Sequence, residues 1–240
     1  MGRPPSDHPV ILHPRGILFD MDGVLVSSLG SVERTWEKWA QARGIEPAVA
    51  IRTAHGCRAI ETVRRLRPDL DALKELEWLE QTEIDDKVGL EILAGVHRIL
   101  EALPASRWIV VTSATEKIAL SRLDHGGVPL PAQLVSAEHV THGKPHPEPY
   151  LKGAALLGFA PADCLVIEDS ASGAAAGHAA GCPVLATLHS HSAESLRHAD
   201  WIVDSLEDVH VRFAADAIDH RIEVRFVPVC VRSEAAAAAR

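Results

Sequence analysis

The sequence predicts an α/β fold: a Rossmann-like, mostly parallel sheet core with an inserted all-helical cap. Apolar runs of strand length recur at 16–20, 108–111, around 133–135, 164–167, 183–186 and 201–203, bounded by turn residues and emerging polar groups. Helical patterns lie between them at 95–103, 115–126, 147–158, 171–180 and 192–198. Strands that alternate with helices build right-handed crossovers and a parallel sheet. The alternation stops between the first strand and the second, where 30–88 carries only helical patterns. The expected division is therefore a discontinuous core, 1–29 and 89–230, a helical cap at 30–88, and a low-complexity frayed tail at 231–240.

In chain order, residues 1–14 are rich in proline and glycine and read as a loose lead-in. The run Ile17-Leu18-Phe19 is a short buried strand, and Gly23 marks the turn out of the sheet. Asp20 and Asp22 are two apart, so on a strand their carboxylates leave its C-terminal end together, where open α/β sheets bind ligands. Like charges that close need a proton or a cation between them, and a hard ion such as Mg²⁺ suits carboxylates and phosphate. A helix N-cap beside a solvated turn acid is the other reading of this segment alone.

In the insertion, Leu29, Val32, Trp36, Trp39 and Ala40 form one apolar stripe at helical spacing. That makes Trp36 and Trp39 core residues of the insertion rather than stacking platforms. Further helical patterns span 57–67, ending at Pro68, and 71–85. An all-helical segment just after the acidic turn reads as a lid over the sheet's carboxyl edge. Near the C-terminus, 208–213 and 222–226 alternate with period two and read as a hairpin with a long loop.

Three further stations close strands. In Val111-Thr112-Ser113-Ala114-Thr115, hydroxyls and backbone N–H groups emerge where they could hold phosphate oxygens or merely cap the next helix. His142-Gly143-Lys144-Pro145-His146-Pro147 is a rigid turn that either presents an ammonium at a fixed point or carries a solvated lysine; it lacks the spacing of a P-loop. Glu168 and Asp169 follow the apolar run Val166-Ile167, where desolvated acids require a cation or hydrogen-bond donors. Acid pair, hydroxyl, lysine and acid pair at four strand ends point jointly to a metal-assisted phosphate site.

Composition narrows the classes. The chain has 240 residues, 47% of them hydrophobic, and a net charge of −9, with a mean hydropathy of +0.04. No basic stripe suggests a nucleic-acid partner, and no apolar stretch is long enough to span a membrane. The four scattered cysteines, Cys57, Cys164, Cys182 and Cys230, suit buried thiols in a reducing compartment. A monomer in the cytoplasm, acting on a small-molecule phosphate ester, is the expectation. The fourteen histidines show no paired ligand spacing and none is assigned to metal.

The four stations resemble the haloacid dehalogenase superfamily, and 30–88 is similar to its small helical cap. Leu25-Val26-Ser27-Ser28, Ala54-His55-Gly56-Cys57-Arg58 and the run from Gly143 to Gly153 look like its glycerol-phosphate and deoxysugar-phosphate phosphatases. The resemblance implies Asp20 as nucleophile and Asp22 as general acid and base. It implies Mg²⁺ held by Asp20, Asp169 and the Asp22 backbone carbonyl, with Glu168 supporting from behind. Ser113, Thr112, Ala114 and Lys144 would hold the phosphoryl group, and His55 and Arg58 of the cap would meet the substrate. The implied reaction is Mg²⁺-dependent hydrolysis of small sugar or polyol monophosphates through a phosphoaspartate. A β-phosphoglucomutase-like isomerase shares every core station, and a non-catalytic phospho-receiver-like regulator uses a similar acidic pocket.

Overall fold

A computed structural model of the chain describes residues 9–54, 57–213 and 221–231. Strands β1 (Val10–Leu12), β2 (Gly16–Phe19) and β3 (Val26–Ser27) lead into helices α1 (Leu29–Ala42), α2 (Pro47–Ala54), α3 (Ala59–Leu66) and α4 (Ala72–Asp85). Then come β4 (Glu91–Ile92), α5 (Val96–Glu101), β5 (Trp108–Val111), α6 (Glu116–His125), β6 (Leu134–Val135) and α7 (Glu148–Leu157). The chain continues through β7 (Cys164–Glu168), α8 (Ala171–Ala179), β8 (Val184–Thr187), β9 (Trp201–Val203), β10 (His210–Phe213), β11 (Ile222–Phe226) and β12 (Cys230–Val231).

The main sheet has seven strands in the order β12-β9-β8-β7-β2-β5-β6. All its pairings are parallel except the edge strand β12 on β9. Strand β2 sits between β7 and β5, which puts Asp20 beside the ends of both. All residues of β2, β5 and β7 are buried, because a sheet covered on both faces has no polar side. One face packs Ile17, Phe19, Val110 and Ile167 with α5 and α6; the other packs Leu18, Ile109, Val111 and Val166 with α7 and α8.

Helices α1–α4 have a separate core of Trp36, Trp39, Ala40, Ala50, Ala54, Val63 and Leu79. Trp36 and Trp39 meet edge to face at 5.3 Å, which places both in that core as the stripe required. Helix α4 starts at Asp71, whose carboxylate accepts the N–H groups of Leu73 and Lys74, satisfying donors that a helix start leaves unpaired.

Several elements differ from expectation. The segment 192–198 forms turns rather than a helix: Ser195 donates both its N–H and its Oγ–H to the carbonyl of Ser192. Serine competes in this way with a short helix's own hydrogen bonds. The lead-in contains β1, which pairs with β11 next to β10 in a separate three-stranded antiparallel sheet. The predicted hairpin is present as β10 and β11, and its loop, 214–220, lies outside the described residues. Val231, expected in the frayed tail, belongs to β12; residues 232–240 also lie outside the described residues. The helical insertion contains α2, which no predicted pattern had separated, and it is bracketed by a small ladder of β3 on β4.

Candidate active site and metal centre

Strand ends of the main sheet bring the predicted stations together. Asp20 leaves β2 with its N–H on the carbonyl of Ile167 at 2.9 Å. The turn that follows needs Gly23, at φ 79°, both for that backbone conformation and because a Cβ there would overlap the carboxylate of Asp169. Asp20, Glu168 and Asp169, all buried, bring carboxylate oxygens within 4.8 Å of one another.

Lys144 compensates part of that charge. Its Nζ donates to Asp20 Oδ1 at 2.8 Å and to Glu168 Oε1 at 2.7 Å, and the side chain is almost fully enclosed. The lysine is therefore buried between two acids, not solvated. Tyr150, in the first turn of α7, donates its hydroxyl to Glu168 Oε1 at 2.7 Å. The other Glu168 oxygen accepts the N–H of Asp169, the N–H of Ser170 and the Ser170 hydroxyl, each at 2.9 Å. Ser170 in turn accepts the Gly173 N–H at 3.0 Å and caps α8. Gly173 must be glycine, since a Cβ there would collide with the Glu168 carboxylate.

The electrostatics follow from burial. Burial pushes the Asp20 pKa up to about 7; Lys144 opposes the shift, while Glu168 and Asp22 add to it. Burial also drives Asp169 well above the usual carboxylate range, reinforced by the charges of Glu168 and Asp20. Burial works against the Lys144 ammonium, but Asp20 and Glu168 outweigh it and hold its pKa above the ordinary lysine value. Burial likewise works against ionised Glu168, yet Lys144, backbone N–H groups and Tyr150 keep its pKa below the ordinary value. Three desolvated carboxylates thus cluster around one ammonium, which donates to Asp20 and Glu168. A cluster of oxygen donors short of positive charge fits a hard divalent cation. Glu168 is already saturated by donors, so Asp20 and Asp169 are the residues best placed to hold it.

Asp22 lines the same cleft but lies outside the three-acid cluster. Its Oδ1 accepts the Ser28 hydroxyl at 2.5 Å and Arg122 Nη1 at 2.6 Å. Arg122 Nη2 donates to Glu83 Oε2 of α4 at 2.6 Å. Ser113 lines the cleft with Thr112 and Ala114. Thr112 Oγ1 accepts the Ala114 N–H at 3.0 Å, so within this pair donor and acceptor close the turn on each other.

Arg58 departs from expectation. Its guanidinium donates to the carbonyls of Val140 at 2.8 Å and Thr141 at 2.7 Å, contacts Glu61, and lies against Gly143. Backbone carbonyls of the lysine-bearing loop occupy the donors expected to meet substrate, so Arg58 ties α3 to that loop. His55 lies outside the described residues. Arg122, Glu83 and the structural role of Tyr150 were missed. A signal existed for one of them: Arg122 falls in the buried stripe Ile118-Ala119-Arg122-Leu123 of α6, whereas Glu83 shares the buried face of α4 with Glu75, Leu79 and Glu80, where no apolar stripe singles it out. A charge within an apolar helical stripe implies a buried partner.

The haloacid dehalogenase-like hydrolase family model matches residues 14–181, a span that holds the whole cluster. Hexitol phosphatase A of Escherichia coli (strain K12) is 38% identical over 202 residues, covering 82% of this chain and 94% of that protein. Glycerol-1-phosphate phosphohydrolase 2 of Saccharomyces cerevisiae is 32% identical over 218 residues, covering 85% and 87% respectively. Among solved structures, β-phosphoglucomutase of Clostridium difficile matches with a TM-score of 0.69 and 22% identity over 81% of this chain and 92% of that one, a likeness of fold. The chain belongs to the haloacid dehalogenase-like hydrolases, and its enzymatic class is that of a hydrolase.

Proposed function

We propose that the protein is a Mg²⁺-dependent phosphatase of small sugar or polyol monophosphates, working through a phosphoaspartate on Asp20. The observation that carries the reading is the buried cluster of Asp20, Lys144, Glu168 and Asp169 at the foot of a cleft walled by α1 and α4. The likeness to hexitol and glycerol-1-phosphate phosphatases supports the substrate class.

In this mechanism an Asp20 carboxylate oxygen attacks phosphorus while the bond to the substrate oxygen breaks. Asp22, held by Ser28 and Arg122, gives its proton to the departing alkoxide, a step typically worth ~10²–10⁴-fold. Water then attacks the phosphorus of the acyl phosphate, Asp22 takes its proton, and the carboxylate of Asp20 is released with inorganic phosphate. Two easier displacements replace one difficult step. Lys144 and Ser113 hold the equatorial oxygens, because phosphoryl transfer is catalysed mainly by position and electrostatics. Asp20, Asp169 and the Asp22 carbonyl would hold Mg²⁺, which supplies the positive charge that lets a phosphate dianion approach these acids. Helices α1–α4 act as the cap that excludes water from the cleft.

A panel of sugar and polyol monophosphates, assayed with Mg²⁺ and with chelator, tests the reading. Phosphate release that needs the cation supports it. Conversion of glucose 1-phosphate to glucose 6-phosphate with a bisphosphate primer, without stoichiometric phosphate, replaces it with the isomerase.

A further inference from the structure

The wall of the cleft facing Asp22 has an unusual balance of charge. Its two permanent cations are each held between two carboxylates: Lys144 between Asp20 and Glu168, and Arg122 between Asp22 and Glu83. No third lysine or arginine lines the cleft among the described residues. Arg122 is 3% exposed and Glu83 is 9% exposed, so both charges lie in a medium that screens poorly. Near them the lining is apolar or uncharged, with Leu29, Val32 and Trp36 of α1 and Ser28 at its start. Among the described residues, the region beyond the phosphoryl position therefore offers hydrogen-bond acceptors and apolar surface, but no lysine or arginine outside those two ion-pair clusters.

Resting on the phosphatase reading above, we propose that Glu83 is a specificity-determining residue that restricts the enzyme to phosphate esters with an uncharged, hydroxylated remainder. Esters bearing a carboxylate are rejected. The Glu83 carboxylate faces the leaving group and accepts its hydroxyls, but repels a second anion there. By forming its second ion pair with Arg122, it also prevents that guanidinium from binding a substrate carboxylate, as an arginine paired with Asp22 alone could do. Arg122 is the positioning residue that fixes Glu83 on α4 relative to Asp22 on the core rim. Specificity here is repulsion as much as attraction.

The test compares kcat/KM for a hexitol 6-phosphate and for phosphoglycolate in the wild type, Glu83→Gln and Glu83→Asp. The ratio of the two substrates within one preparation is independent of the fraction of protein folded. The wild type favours the hexitol phosphate. Glu83→Gln shifts the ratio toward phosphoglycolate by on the order of tenfold to a hundredfold, the effect of removing one unit charge in a partly buried setting. Most of the shift lies in the KM for phosphoglycolate, and Glu83→Asp restores the wild-type ratio. An unchanged ratio in Glu83→Gln, with an active wild type, overturns the specificity assignment and leaves the phosphatase reading standing. A wild type that hydrolyses neither ester under Mg²⁺ overturns both.

Discussion

Replacing Lys144 with methionine removes the one ammonium shared by two buried carboxylates, at 2.8 Å from Asp20 and 2.7 Å from Glu168. Breaking a buried ion pair by deleting one partner costs about 3–5 kcal/mol. Glu168 keeps the Tyr150 hydroxyl, two backbone N–H groups and the Ser170 hydroxyl, so its share of the loss is modest. Asp20 already has a pKa near 7 and, deprived of Lys144, takes up a proton instead of remaining an isolated anion. The expected loss is thus at the low end, about 3 kcal/mol at pH 7, read as a lower urea midpoint at unchanged m-value in the presence of chelator. The proton uptake fixes the sign of the pH dependence. Between the unfolded carboxylate pKa and the higher folded one, the folded variant binds more protons than the unfolded chain, so its stability falls as pH rises, by about 1.4 kcal/mol per pH unit for one proton. The slope extends above pH 7 in the variant, because the opposing ammonium is gone. With phosphate ester as substrate, kcat falls by about 10²–10³-fold, the cost of one lost electrostatic donor. A stability loss under about 1 kcal/mol, with a wild-type pH slope, would refute the assignment of Lys144 as the charge that makes this cluster tolerable.

Asp20→Asn should abolish phosphate release while raising the melting temperature in chelator, because it removes one of three crowded carboxylates; calorimetry and a phosphate assay on the same sample check both. In wild-type protein with chelator, the unfolding midpoint should fall as pH rises from about 4 to about 7, since Asp20 and Asp169 have raised folded pKa values and are stabilised by protonation. Mg²⁺ should flatten that fall. Gly173→Ala should destabilise by more than about 2 kcal/mol, because the added methyl overlaps the buried Glu168 carboxylate, whereas alanine at the equally helical but partly exposed Ser172 should change stability by less than about 0.5 kcal/mol in the same denaturant titration. Glu148→Gln should loosen the loop bearing Lys144. The Thr141 and His142 N–H groups donate to Glu148 and hold its pKa down at about 2, so the wild type should lose this contribution as pH falls from about 4.5 toward 2, and the variant should not.

The sequence alone determined the parallel sheet, since six apolar runs of strand length alternating with helical periods leave little else to build. It also determined that Asp20, Glu168 and Asp169 end strands or follow them, because side-chain direction and strand polarity are local properties; Lys144, expected at a strand end, instead lies in the loop before α7, well past β6. Strand order was decided only by the tertiary structure. Placing β2 between β5 and β7 is what brings Asp20 and Asp169 within one ligand's reach, and neither period nor spacing specifies neighbours. The pairing of Asp22, Arg122 and Glu83 into an ion triad was equally out of reach, although the apolar stripe around Arg122 implied some buried partner. It joins residues separated by 100 and 39 positions, and the energy of such a contact depends on burial that only packing creates. The same holds for Arg58, whose loop position suggested substrate, while the fold turned its guanidinium onto the backbone before Lys144. Local chemistry chose the residues; the long-range packing of α4 against α6, and of the start of α3 against the loop before Lys144, set which partner each of them has.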